Sequence, residues 1–157
     1  MQDDLYVSRN QALVFALYTR QNLEFIERAS KGYENNVHVV TQIANSLLGL
    51  VVFLWEREFI RYTKELQLDD LVKDGWPRFE ISKGECETLH QLVRHLRNAV
   101  AHGRIRFSSD SRDPNSVMID IEDGKKNRPT DWSARMKASD LREFCLKFAQ
   151  LVEEAIG

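Results

Sequence analysis

Cysteine is scarce: Cys86 and Cys145 are the only two, set far apart in helical patterns with no CxxC and no histidine at ligand spacing. That excludes a disulfide scaffold and a thiolate metal site, suits a reducing compartment, and leaves both thiols as small apolar residues. The start, "MQDDLYVSRN", is acidic and lacks a positive segment followed by an apolar one, so no signal peptide is read. Residues 37–54 are the one stretch apolar enough to suggest a membrane span. They contain His38, Thr41, Gln42, Asn45 and Ser46, which are costly in lipid, so a buried helix and a cytoplasmic location are expected. There is no repeat, low-complexity linker or carboxylate cluster, and no HExxH, so neither a metal nor another cofactor is expected. Residues 1–157 read as a single domain, large enough to bury roughly 70% of its unfolded surface without a staple.

What is present is mostly helical. Leu13, Phe15, Ala16, Leu17, Leu23, Phe25 and Ile26 predict an amphipathic helix over about 8–30, stopped at Gly32. A longer helix is predicted from a cap at Asn36 through Trp55 to about Leu66, apolar nearly all round and therefore central. "LDDLVKDGWPRFEISKGE" breaks the pattern with Gly75, Pro77 and Gly84 and predicts a long loop anchored by Trp76 and Phe79. A third major helix follows, with Ser82 as its cap and Glu85 in its first turn, and Gly103 ends it. "RIRFSS" and "SVMIDIED" alternate polar and apolar residues across the turn signal "DSRDPN", and "TDWSARMKA" comes next. A last helix, capped by Ser139 or Asp140, runs from Leu141 to Ile156. The expected class is mainly all-α, a helical bundle of four to five helices with a small β-hairpin or three-stranded meander inserted before the last helix.

The whole chain carries 24 acids and 22 bases, which predicts no general affinity for nucleic acid. Charge is nevertheless uneven. Residues 88–109 contain no Asp or Glu, where even spreading would place about three, and hold Arg94, Arg97, Arg104, Arg106 and three of the four histidines. An anionic neighbour is expected there. At 100° per residue, Leu89, Leu92, Val93, Leu96 and Val100 share one arc, and Gln91, His95, Asn98 and His102 share the opposite one. Asn98 and His102 are four apart and so adjacent, which lets an amide hold an imidazole in one tautomer. Arg97 lies roughly 140° from His102 on a regular helix. The two meet only if the helix unwinds before Gly103, or if a second copy of the chain supplies the missing half across a symmetric interface.

"LRNAVAH", with a polar residue after Arg97 and His102 five positions on, resembles the Rx4-6H motif of the HEPN domain family. The helix layout around it is similar to that family's small stand-alone members on bacterial mobile elements. The resemblance implies a HEPN-like bundle and a metal-independent endoribonuclease that acts as a homodimer with paired motifs lining a shared cleft. Carried over, Arg97 would orient the scissile phosphate, His102 would act as acid or base, and Asn98 would support the pair. Arg94, His95, Arg104 and Arg106 are the candidate RNA contacts, with solvated side chains as the alternative. The resemblance further implies a toxin or phage-defence role, with an antitoxin or nucleotidyltransferase as partner. The competing expectation is a catalytically inactive HEPN-like module that binds RNA, a nucleotide or a partner protein. His90 reads as an edge-of-core residue, His38 as a partly buried helix residue, and Trp55, Trp76 and Trp132 as packing anchors.

Overall fold

A computed structural model describes residues 2–32, 37–54, 63–125 and 127–156. Helix α1 (Gln2–Gly32) ends at the predicted glycine and packs on α5 (Ala138–Ile156) and α2 (Val39–Leu48). Its inner row is Ala12, Ala16 and Leu23, so small residues bring the helices close; Phe25, expected to be inward, is 60% exposed. Arg20 reaches Glu153, and Arg142 grips both carboxylate oxygens of Glu27, tying α1 to α5 at two levels.

Helix α2 is buried through Val39, Val40, Ile43 and Leu47 and meets α1 and α5, which bears out a central helix. It does not continue unbroken. A π-helical turn, Gly49–Phe53, follows it, and the Phe15 ring lies where a Cβ on Gly49 would stand, 2.9 Å away. The expected cap, Asn36, and Trp55 lie outside the described residues. His38 caps α2 instead, its Nδ1 accepting from the Thr41 amide, so this half-buried histidine is a capping residue.

The segment 68–85 is more ordered than a loop. It forms a short helix α3 (Leu68–Lys73) and a strand β1 (Glu80–Lys83). Trp76 and Phe79 do anchor it, both against Phe144 of α5. Ser82 therefore cannot cap the next helix; its hydroxyl reaches Ser133 across the sheet. Helix α4 (Leu89–Ala101) starts seven residues later than Ser82, at a capping box in which the Thr88 hydroxyl accepts from the Gln91 amide and the Gln91 side chain accepts from the Thr88 amide.

Strands β2 (Ile105–Phe107), β3 (Met118–Asp123) and β4 (Trp132–Lys137) join β1 in an antiparallel sheet of order β1-β4-β3-β2. The expected hairpin or three-stranded meander is thus a four-stranded sheet, and its fourth strand precedes α4 in the chain. β1 pairs with β4 out of sequence order, a long-range pairing that local periodicity cannot reveal. Ile119 and Ile121 of β3 face inward with Ala134 and Met136 of β4. Helix α5 starts directly after β4. The amides of Ala138 and Ser139 donate to the carbonyls of Val117 and Pro114, so neither Ser139 nor Asp140 serves as its cap. Among the described residues no helix is long and apolar enough to cross a membrane.

Candidate functional site

Helix α4 positions the arginine and the histidine of the motif. Leu89, Leu92, Val93, Leu96 and Ala99 are buried, and Val100 packs at the core edge, as the apolar arc predicted. The helix stays regular through Ala101, and His102 closes it by donating its amide to Asn98. Gly103 then takes φ 65°, its amide donating to Val100 while that of Arg104 donates to Ala99. This pair of bonds is a Schellman motif, and it turns the chain straight into β2. The helix does not unwind before His102, so Arg97 stays displaced from it within one chain.

The polar arc of α4 does not face open solvent along its length. It faces the end of the sheet, where β3 crosses α4. Asp123 continues the inward row of Ile119 and Ile121, and pairs in register with Trp132 of β4. Its Oδ2 lies 2.8 Å from Nδ1 of His95 and accepts from Nδ2 of Asn98 at 3.2 Å. The Asn98 oxygen in turn accepts from Nη1 of the half-buried Arg97 at 3.2 Å. His95 also lies flat on Trp132, with ring centroids 4.4 Å apart and planes 3° off parallel. A line of contacts therefore runs from Arg97 through Asn98 and Asp123 to His95 and Trp132. The anionic neighbour that the acid-free stretch called for is the chain's own Asp123.

Beside this line lies an open cleft of about 470 Å³, bordered by His95 and Asn98 of α4, by His102 at its C-terminal cap, and by Asp123, Gly124 and Lys125. Arg94 and Asp131 complete its rim, and Arg97 is not among its lining residues. His102 is exposed, and among the described residues its side chain makes no hydrogen bond. Arg104 extends over Gly124 toward the Lys125 carbonyl, next to the cleft. Arg106 goes elsewhere: it sits on the outer face of the sheet, paired with Glu122. Gln91 belongs to the arc but is used by the capping box.

Asp123 is the site residue that sequence reasoning missed. The signal was present in "MIDIED": alternation puts Asp123 on the face of the two isoleucines, and an acid at the end of an inward row needs a partner. Trp132 is a packing anchor, 1% exposed, and its stacking face is taken by His95 and not open to a base. The cysteines stand apart from the cleft. Burial pushes Cys145 up to about 12 and Cys86 up to about 11, with the Arg94 guanidinium pulling Cys86 the other way. Among the described residues no group of three or more His, Cys, Asp or Glu is arranged to hold a metal ion.

The family model described as HEPN pEK499 p136 matches residues 4–156. The chain belongs to this HEPN family. Comparison with curated proteins and with solved structures returned no match. HEPN domains are generally associated with ribonuclease and nucleotide-related activity and commonly act as dimers. In this HEPN chain the motif residues occupy the end of α4, with Asn98 and His102 on the cleft and Arg97 one step behind Asn98.

Proposed function

We propose that this HEPN domain is a metal-independent endoribonuclease that cleaves RNA by attack of the ribose 2′-OH, with Arg97 and His102 motifs paired across a homodimer. The observation that carries the reading is the exposed His102 at the mouth of a cleft that also holds His95, Asn98 and the cations Arg94 and Lys125. RNA brings its own nucleophile, so the protein needs to move protons and stabilise charge on the phosphoryl oxygens. An imidazole suits the first task and a guanidinium the second. Because Arg97 lies off the His102 side of a regular helix, a partner's motif completes the pair, and an isologous interface brings two such halves together. Arg94 and Arg104 flank the cleft as phosphate contacts; Arg106, held by Glu122, is the weakest of the RNA-contact candidates.

The test is cleavage of single-stranded RNA by purified protein in EDTA. Wild type cuts, and Arg97→Ala and His102→Ala abolish cutting while the fold and the solution mass of a dimer persist. Wild type that is inert, or active only with added metal, overturns the mechanism. A second reading has its own support: Arg97 is half-buried against Asn98, and Asp123 and Asp131 place negative charge on the cleft. That favours a catalytically silent module binding a nucleotide, RNA or a partner protein, and equal binding by inert wild type and variants selects it. A toxin or phage-defence role in the cytoplasm, with an antitoxin or nucleotidyltransferase as partner, is the biological setting we propose for the enzyme; a neighbouring antitoxin gene checks it.

A further inference from the structure

We propose that His95 is the proton acceptor of the cleft and that Asp123 holds it in that role, while His102 returns a proton to the leaving oxygen. This rests on the ribonuclease reading above and assigns its two proton transfers to two different histidines of one helix.

The geometry of His95 is that of an oriented base. The ring is clamped flat on Trp132, its side chain is 12% exposed, and Nδ1 is 2.8 Å from Asp123. The carboxylate accepts at this distance, so Nδ1 carries the hydrogen, and in the neutral ring Nε2 then presents a lone pair. Nε2 has no hydrogen-bond partner among the described residues and is not fully buried, so it meets solvent. His95 lines the cleft, and so does His102. The two are seven residues apart, two turns along one side of α4 and about 10 Å along its axis. A phosphodiester between them would have its attacking and leaving oxygens on opposite sides of phosphorus, each needing its own proton carrier.

In the reaction the proton of the 2′-OH passes to Nε2 of His95 as the O2′–P bond forms. The P–O5′ bond breaks, its electron pair goes to O5′, and O5′ takes a proton from His102. The products are a 2′,3′-cyclic phosphate and a 5′-hydroxyl. Asp123 is a positioning residue: it keeps the imidazole in one tautomer and faces the charge that the ring gains.

The experiment compares an RNA dinucleotide with its analogue carrying sulfur at the bridging 5′ position, a leaving group that departs without a proton. On the oxygen substrate His102→Ala should lose about 10²- to 10⁴-fold in rate, and on the sulfur substrate recover to within about tenfold of wild type. His95→Gln and Asp123→Asn should lose about the same factor on both substrates. His95→Gln that cuts the oxygen substrate within about threefold of wild type, while His102→Ala is dead, overturns this proposal and leaves the ribonuclease reading standing. Rescue of His95→Gln by sulfur overturns it too, since that marks His95 as the acid. Wild type inert on RNA overturns both. Independently of any variant, ¹⁵N shifts of the wild-type imidazoles should show His95 as the Nδ1–H tautomer; the Nε2–H tautomer refutes the assignment.

Discussion

Replacing His95 by alanine should separate the stability of the cleft from its chemistry. The substitution removes a parallel stack on Trp132 and a 2.8 Å bond to a carboxylate that is itself only 14% exposed. Aromatic stacks contribute about 0.5–1.5 kcal/mol beyond burial, and a hydrogen bond to a charged group about 1.5–3 kcal/mol. Together they predict a loss of about 3 kcal/mol, with Asp123 keeping only Asn98 of its two partners on α4. At a urea slope of about 2 kcal/mol per molar, the unfolding midpoint should fall by about 1.5 M. His102→Ala, at an exposed helix end, should move it by no more than about 0.25 M. Both are read by circular dichroism in urea at one fixed protomer concentration, because dimer formation would add a concentration term. If His95→Ala and His102→Ala shift the midpoint equally little, the stack and the carboxylate bond do not hold this end of the sheet on α4, and Asp123 does not fix the His95 ring.

Two glycines of positive φ should respond differently to alanine. At Gly103 a Cβ meets nothing within 4 Å, so Gly103→Ala should cost only the left-handed strain of about 1–2 kcal/mol; at Gly84 it would stand 2.8 Å from the Asp131 carbonyl and 3.2 Å from the Trp132 ring, so Gly84→Ala should cost clearly more, which thermal melts will compare. Thr88→Ala removes half of the α4 capping box and should cost about 1 kcal/mol, while Thr88→Ser keeps most of it in the same melts. With iodoacetamide at pH 8, intact-mass analysis should show Cys145 unmodified and Cys86 reacting slowly, since burial lifts both thiols. Arg94→Ala removes the cation that favours the Cys86 thiolate, so the alkylation rate of Cys86 should fall further; a faster rate would contradict the sign.

Much of the helical frame was legible because one-dimensional periodicity reports burial directly. The apolar arc of α4, its stop at Gly103 and the core face of α5 follow from residues three and four apart, and the structure buries Leu96, Phe144 and Phe148 as that spacing requires. Helix starts were harder. Ser82 was the expected cap and Thr88 is the actual one, and the difference depended on β1, whose partner β4 lies some fifty residues away. Phe25 shows the converse: an apolar residue on a helix is not a core residue until the packing partner is known.

By itself the sequence determined the mainly helical class, the Arg97–His102 motif and its place at the end of a core helix, since these depend on residue identity and local spacing. Tertiary structure alone decided what faces that helix. Asp123 lies 25 residues after Asn98 and 28 after His95, and it reaches them because the Schellman turn at Gly103 sends the chain through β2 into β3, which packs on α4. The same return aims Arg106 away from the cleft and buries Trp132 beneath His95. Local propensity has no access to such contacts, because strand pairing and the packing of a sheet end on a helix join positions that only the folded chain brings together.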